Sequence, residues 1–217
     1  MNFHFVNIEA FLLFLSHFPF DIEEKFSQHV RRLLLRGVVR VTKAVIINGS
    51  NSKSSRLTAI HDKVENYFKA QGIAVHNNFI YELPAEDLIT ANFTSEAIIS
   101  ENKQIEEADI IVVLTPIYKA SYTGILKTYI DLLPQKALRG KLILPIAVGG
   151  SIGHLLALEY ALKPILSVLG ATTIAHSVYI LDQQIIRLEN GGFAIEEEAI
   201  QRLDVELKQI QQLVIVN

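Results

Sequence analysis

The chain has 217 residues; half are hydrophobic, a fifth are charged and none is cysteine. That length suits one domain with a substantial core and an appendage. Without cysteine, disulfides, thiolate catalysis and cysteine-based zinc or iron–sulfur sites are excluded. A formal net charge of -3 gives no broad basic surface for nucleic acid. We therefore expect a globular, cytoplasmic protein without a nucleic-acid partner.

The first 40 residues differ in composition from the rest of the chain. Seven of the eleven phenylalanines lie between Phe3 and Phe26. The apolar run at 10–15 is too short to cross a bilayer, which needs about 20 residues, and it lacks the features of a secretory signal. We predict an N-terminal extension over 1–40, either poorly ordered or a start-site artefact with translation beginning at Val41. Attachment to a membrane surface ranks below both.

From residue 43 onward, short apolar runs alternate with segments of helical spacing, and we assign 41–217 to one domain. The predicted strands and helices are, in chain order, β 43–48, α 57–72, β 73–83, a loop at 84–95, α 96–108, β 109–114, α 123–133, β 141–148, α 154–169 with a kink or break at Pro164, β 172–181 and α 195–210. This alternation indicates an α/β fold with a parallel sheet covered on both faces. Ligands on such sheets lie beyond the carboxyl ends of the strands.

The loop after the first strand, residues 49–56, runs directly into a helix. Unpaired amides and the helix dipole favour an anion there, four serines supply hydroxyl donors, and Arg56 supplies a positive charge. The loop is neither a Walker A sequence nor a dinucleotide fingerprint. A terminal monophosphate therefore suits it better than a pyrophosphate. An ordinary capped turn explains the same residues equally well.

The loop after the third strand contains Pro116, which stiffens the turn and removes a donor. Tyr118 and Tyr122 follow, and both can stack on or border a planar ring with polar edges. Two tyrosines packed at a helix start are the simpler explanation of this pair. On its own, this loop favours the simpler explanation.

The loop after the fourth strand, residues 149–154, contains three glycines, which allow a ligand to approach the backbone closely. His154 closes this loop near a helix start, where it either contacts a ligand or caps the helix. The other histidines are scattered along the chain without ligand spacing. We therefore predict no metal site.

Residues 44–207 resemble the NADPH-dependent FMN reductase family, a group with a flavodoxin-like fold. The resemblance is carried by Gly49-Ser50, TPIYKASYTGILK at 115–127, DLLP at 131–134, LRGK at 138–141, Gly149-Gly150, HLLA at 154–157 and YALKP at 160–164. Within the family, the sequence is similar to the FMN reductase of the two-component alkanesulfonate monooxygenase system. The resemblance implies a flavodoxin-like three-layer sandwich with a five-stranded parallel sheet of order 2-1-3-4-5.

The resemblance also implies an activity. It indicates an oxidoreductase that reduces FMN with NADPH and supplies reduced flavin to a partner monooxygenase in sulfonate-sulfur assimilation. A homodimer or homotetramer is implied as well. Two alternatives stay open: a reductase that retains FMN and reduces quinones or azo dyes, and a non-enzymatic flavodoxin-like electron carrier. The carrier ranks lower, because flavodoxins are usually strongly acidic and -3 is a weak charge.

The positions that contact FMN follow from the same resemblance. They are Ser50, Ser55 and Arg56 at the phosphate, Pro116, Ile117 and Tyr118 against the flavin ring, and Gly149 and Gly150 at its other edge. We add His154 as a ligand contact. No catalytic acid or base is assigned, because the flavin N5 carries the hydride.

The chain matches its relatives at one further position, Tyr122, and departs from them after the first Gly-Ser. Relatives carry an inserted tyrosine that produces a π-bulge at the subunit interface and is linked to release of reduced flavin; we assign this role to Tyr122. Relatives commonly have Pro-Arg after the first Gly-Ser, whereas here Asn51 and Ser52 follow. We interpret Arg56 as the replacement for the missing positive charge.

Overall fold

The computed structural model describes residues 41–189 and 191–216, so the predicted extension over 1–40 lies outside the described residues. The strands are β1 (Lys43–Asn48), β2 (Ala74–Phe79), β3 (Ile110–Tyr118), β4 (Ser121–Tyr122), β5 (Leu142–Gly149), β6 (Thr173–Ile174), β7 (Val178–Leu181), β8 (Ile185–Arg187) and β9 (Phe193–Ile195). The α-helices are α1 (Leu57–Ala70), α2 (Ala85–Ile89), α3 (Glu96–Glu107), α4 (Gly124–Ile130), α5 (Lys163–Val168) and α6 (Glu197–Val216). Three short 3₁₀ helices and one π-helical segment complete the set: Ile80–Glu82, Ile152–His154, Asp182–Gln184 and Leu158–Leu162.

The central sheet is parallel, with the order β2-β1-β3-β5 followed by β6 and β7 along the outer edge of β5. The predicted order 2-1-3-4-5 is confirmed, and its fifth strand is divided into β6 and β7. Helices cover both faces: α1 and α6 pack on one apolar cluster, and α3, α4 and α5 on the other. The strands β1, β3 and β5 are buried from both sides, which explains their near-continuous apolar sequences, whereas the edge strand β2 (Ala74–Phe79) is mostly half-buried and carries polar residues.

The division of the fifth strand has a cause in β5. Ala175 donates its amide to the carbonyl of Ile143 at 2.8 Å, and the next ladder bond toward this edge would need an amide hydrogen from Pro145, which has none. Ile143 pairs with Ile174 and Ile146 with Val178, so the outer strand has one extra residue, a bulge.

The helix predicted at 154–169 is divided, as expected from Pro164. A 3₁₀ turn, the π-helical segment and α5 occupy that stretch, with the proline in the first turn of α5. The loop predicted at 84–95 contains the helix α2, whose five residues are too few to show a helical period. Within residues 41–189 and 191–216, no helix is long and apolar enough to span a membrane.

Candidate functional site

A cavity of about 330 Å³ lies at the carboxyl ends of β1, β3 and β5. Its lining is formed by Asn51, Ser52, Ser54, Ser55, Arg56, Leu57, Pro116, Ile117, Tyr118, Val148, Asp182 and Arg187. One part of this lining consists of hydroxyls and guanidinium groups, and another consists of apolar and aromatic side chains. A larger cavity of about 850 Å³ lies elsewhere, between α3 and the segment after α4, and receives nothing from these three strand ends.

Residues 49–56, here called the phosphate loop, are held in shape by their own serines. The hydroxyls of Ser52 and Ser54 lie 2.9 Å apart, and the Ser54 amide donates to Ser52 Oγ at 3.1 Å. At the start of α1, the Leu57 amide donates to Ser55 Oγ at 3.2 Å. Ser50 is fully buried and donates its hydroxyl to the Ser52 carbonyl at 3.2 Å. Ser50 therefore supports the loop from beneath and does not line the cavity.

The phosphate loop is fixed at its start by a close approach to α4. A Cβ on Gly49 would lie 2.9 Å from Leu126 Cβ and 3.0 Å from the Leu114 carbonyl oxygen, so only glycine fits. Thr123 caps α4 by accepting the Leu126 amide at 3.3 Å, and its hydroxyl donates to the Gly49 carbonyl at 2.7 Å. Thr115 Oγ1 accepts the Thr123 amide at 3.1 Å. These bonds join the ends of β1 and β3 to one helix start.

Beyond the sheet, β3 continues into a tight hairpin with β4. Ile117 pairs with Tyr122, and Tyr118 pairs with Ser121. The two turn residues between them, Lys119 and Ala120, have φ angles of 50° and 62°. Both lie in the left-handed region, as a type I′ hairpin turn requires, although neither is glycine or asparagine. Such strain is concentrated at functional sites, and here the hairpin presents Tyr118, which is 55% exposed, beside the cavity.

The loop after β5 approaches Tyr179 of β7. A Cβ on Gly149 would overlap the Tyr179 hydroxyl, which donates to the Ser151 carbonyl at 2.7 Å. Burial raises the pKa of Tyr179, and the nearby Asp182 carboxylate raises it further. On the other side, Asp182 Oδ2 lies 3.7 Å from the Cβ position of Gly150. Because the two glycines have no side chains, the backbone of this loop lies close to Tyr179 of β7 on one side and to Asp182 on the other.

Of the nine predicted FMN contacts, five line the cavity: Ser55, Arg56, Pro116, Ile117 and Tyr118. Ser50 is the buried second residue of the phosphate loop, and Gly149 and Gly150 follow the lining residue Val148 at and just after the end of β5. His154 is half-buried in its 3₁₀ turn and is not part of the lining. The structure thus brings the first two predicted loops together at one cavity, and the flavin contacts themselves stay a prediction.

Sequence reasoning missed two charged residues of the cavity, Asp182 and Arg187. Asp182 begins the 3₁₀ turn after β7, and Arg187 ends β8. The available signal was the rule that ligands lie beyond strand carboxyl ends, which we applied to strands one, three and four but not to the fifth.

The assignment of the π-bulge to Tyr122 is wrong. Tyr122 lies in the two-residue strand β4, because the chain forms a hairpin before α4 begins. The π-helical segment is Leu158–Leu162, whose middle residue Tyr160 is 79% exposed. Pro164 has no amide hydrogen for an α-helical bond to the Tyr160 carbonyl, so the regular helical pattern is interrupted there. β4 lies against this segment.

Residues 42–185 match the sequence model of the NADPH-dependent FMN reductase family. The chain belongs to this family. It is 40% identical over 144 residues to the FMN reductase (NADPH) of Escherichia coli strain K12. This aligned stretch covers 66% of this chain and 75% of that protein. It is 41% identical over 145 residues to the FMN reductase (NADPH) of Pseudomonas putida strain KT2440, covering 67% and 74% respectively.

A solved structure in the same fold is the apo form of the NADH:FMN oxidoreductase EMOB. It superposes with a TM-score of 0.72 at 30% identity and covers 79% of this chain and 89% of that one. Together with the family match, this confirms the flavodoxin-like fold and makes the chain an NAD(P)H-dependent oxidoreductase of a family whose ligands are FMN and NADPH.

The lining residues fit such ligands, since hydroxyls and guanidinium groups suit a phosphate and the Pro116–Tyr118 stretch suits a ring. In the part of the chain described, no three histidine, aspartate or glutamate side chains cluster as a metal site. The predicted absence of a metal stays a prediction.

Proposed function

We propose that this protein reduces FMN with NADPH in the cytoplasm and releases the reduced flavin to a partner monooxygenase. The observation that carries the proposal is the composition of the cavity at the strand ends. Hydroxyls of the phosphate loop and the guanidinium groups of Arg56 and Arg187 face the same space as the apolar end of β3. FMN needs this combination, because its two parts are a phosphate and a largely apolar tricyclic ring.

In this proposal each group of residues has a separate task. Ser55 and Arg56 hold the flavin phosphate at the start of α1, where the helix dipole adds to the attraction. Pro116, Ile117 and Tyr118 border the ring. When bound, FMN supplies the redox chemistry by accepting a hydride from NADPH at its N5, and the protein contributes binding, orientation and electrostatics. No side chain of the chain is needed as a proton donor for hydride transfer.

Release of flavin and self-association are linked in the proposal through the π-helical region. Large apolar side chains are exposed together there: Ile152 (63%), Leu155 (39%), Leu156 (56%) and Tyr160 (79%). Contiguous apolar exposure of this kind supports a protein–protein contact. We therefore extend the proposal to a homodimer or homotetramer that associates through this surface, which includes Tyr160. Light scattering coupled to size-exclusion chromatography tests the association; a monomer at micromolar concentration would contradict it.

The first experiment is NADPH oxidation by the purified protein at rising concentrations of added FMN. We expect saturable dependence on FMN and little flavin copurifying with the protein. Activity that does not depend on added FMN but requires a quinone or an azo dye would contradict the proposal and indicate a flavin-retaining reductase. No oxidation of NADPH with any acceptor would favour an electron carrier.

A matched pair of arginine variants connects this activity to the cavity. Arg56→Ala removes a guanidinium that lines the cavity, whereas Arg139→Ala removes an exposed guanidinium that lines the larger, separate cavity. We expect the first variant to raise the KM for FMN about tenfold or more, as loss of a charge-assisted bond does. The second should leave the KM unchanged. Equal effects of the two substitutions would contradict this use of the cavity.

A further inference from the structure

Two arginines cross between the phosphate loop and the β8–β9 hairpin in opposite directions. Arg56, in the loop, donates Nε to the Ile185 carbonyl of β8 at 3.1 Å. Arg187, at the end of β8, donates Nη2 to the Ser54 carbonyl of the loop at 2.9 Å. Each guanidinium is thus fixed by the backbone of the opposite segment, and both line the same cavity.

The Arg187 guanidinium is also supported by an aromatic ring. Arg187 and Phe193 are cross-strand partners in the hairpin, and the guanidinium carbon lies 5.0 Å from the Phe193 ring centroid. A guanidinium carries five N–H donors in a rigid fork. The ring holds this fork in one place and leaves the charge intact, because a cation–π contact does not neutralise it.

The positive charge at this cavity is not cancelled by direct ion pairs. Among residues 41–189 and 191–216, neither Arg56 nor Arg187 forms a salt bridge within 4 Å. Asp182 also lines the cavity, but its carboxylate lies against Gly150, at the loop after β5. Two oriented cations therefore face the cavity beside the serine hydroxyls.

We propose that Arg187 binds the 5′-phosphate of FMN together with Arg56, so that the hairpin and the phosphate loop form a two-arginine clamp. This inference rests on the proposed function and adds a residue that lies beyond the family match, which ends at Ile185. A phosphomonoester carries a charge between −1.5 and −2 near neutral pH, which two guanidinium groups match better than one. The clamp makes the protein discriminate FMN from riboflavin, which has the same ring and no phosphate.

The test measures binding of FMN and of riboflavin separately, by quenching of flavin fluorescence, without NADPH. The variants are Arg187→Ala, Arg187→Lys and the control Arg139→Ala. We expect Arg187→Ala to weaken FMN binding about 10- to 100-fold, the range for loss of a hydrogen bond to a charged group. Riboflavin binding should change less than about twofold. Arg187→Lys should recover part of the loss, because lysine keeps the charge but not the fork.

Two results would overturn the clamp, and the first has a variant that would reassign Arg187. One is an unchanged FMN affinity in Arg187→Ala; another is an equal loss for FMN and riboflavin, which would mean that the hairpin only shapes the cavity. If the unchanged FMN affinity came with a changed ratio of NADPH to NADH affinity, Arg187 would be assigned to the nucleotide 2′-phosphate. Thermal unfolding with and without inorganic phosphate gives a second readout: phosphate should stabilise the wild type more than Arg187→Ala.

This design separates the clamp from the proposed function. Failure of the wild type to oxidise NADPH with FMN would remove the function and leave the binding comparison valid. An active wild type whose preference for FMN over riboflavin survives in Arg187→Ala would remove the clamp alone.

Discussion

The side-chain amide nitrogen of Asn48 lies 3.2 Å from Nδ1 of His61, beneath the phosphate loop. The Ser50 amide donates to Asn48 Oδ1 at 3.0 Å, and His61 Nε2 lies 3.0 Å from Asn77 Oδ1. Asn77 donates its own amide to Glu65 at 2.6 Å. These partners assign the tautomer: Nδ1 of His61 accepts and Nε2–H donates. A neutral His61 therefore connects the first turn of the phosphate loop to α1 and β2.

This relationship predicts a pH dependence of stability. Burial lowers the pKa of His61 below its ordinary value, and Lys69 lowers it slightly, against opposing effects of Asp62, Glu65 and the bond to Asn77. The unfolded chain therefore takes up a proton near pH 6.5, before the folded protein does. The free energy of unfolding should fall as the pH drops below about 6.5, with a slope from this group of at most about 1.4 kcal/mol per pH unit.

Urea unfolding between pH 5 and 8 measures that slope. His61→Leu should remove the contribution of His61 to it, and should cost about 1–3 kcal/mol at pH 8 because Asn48 and Asn77 lose a partner. The exposed His176 provides the control substitution, His176→Gln, which should keep the slope. An identical pH profile in His61→Leu and the wild type would contradict the prediction.

The strained hairpin turn predicts a stabilising substitution. Ala120 has a φ of 62°, in the left-handed region that costs a non-glycine residue about 1–2 kcal/mol. Ala120→Gly relieves that cost, partly offset by the greater freedom of glycine in the unfolded chain. We expect a net gain of up to about 1 kcal/mol in the free energy of unfolding. Gly124→Ala, at a site with open space around it, is the control for a glycine–alanine exchange; a destabilised Ala120→Gly would show that the turn is not strained.

Substitutions of Thr123 separate the contribution of its hydroxyl to stability from the contribution of its side-chain shape. Thr123→Val keeps the volume but removes both the cap of α4 and the bond to the Gly49 carbonyl. We expect a loss of about 1–3 kcal/mol, measured by urea unfolding. Thr123→Ser keeps the hydroxyl and should lose less than half as much. If the serine and valine variants were equally unstable, packing of the methyl group would explain the effect.

A side chain at position 149 should clash with the Tyr179 hydroxyl, and a second substitution at Tyr179 should relieve that clash. Gly149→Ala would press a methyl group onto the Tyr179 hydroxyl, and overpacking of this kind costs about 1–3 kcal/mol. Combining it with Tyr179→Phe removes the hydroxyl and should restore part of the stability. Gly153→Ala meets only an ordinary contact with Ser151 Oγ at 3.4 Å and is the matched control. Equal thermal unfolding of the two alanine variants would count against the close approach.

The two tyrosines considered for flavin release can be separated directly. We expect Tyr160→Ala to copurify with more flavin and to slow NADPH oxidation by added FMN, because π-helical segments tend to lie at functional sites. Tyr122→Ala, in the neighbouring strand, should change neither quantity. Flavin content by absorbance and steady-state turnover measure both effects, and the reverse pattern would restore the role to Tyr122.

The centre of the sheet could be predicted from the sequence because β1, β3 and β5 are covered on both faces and have continuous apolar sequences. The phosphate loop and the Pro116–Tyr118 stretch could be predicted because both stand at strand ends. Arg187 could not: its bond to Ser54 joins residues 133 positions apart, and the strands of its hairpin have only three residues each. The π-bulge was assigned to Tyr122 from the resemblance to relatives, and the sequence alone did not show that this tyrosine lies in a hairpin before α4 begins.

The bulge opposite Pro145 has a consequence for the protein in a crowded solution. An outer strand of ten uninterrupted residues would offer a regular row of amide and carbonyl groups to any unfolded or neighbouring chain. Here the row is broken into two residues of β6 and four of β7, too short and too misaligned for a second chain to extend the sheet. Within the described residues, a single proline in the adjacent strand thus limits this edge of the sheet to short rows of amide and carbonyl groups, which offer a second chain little to pair with.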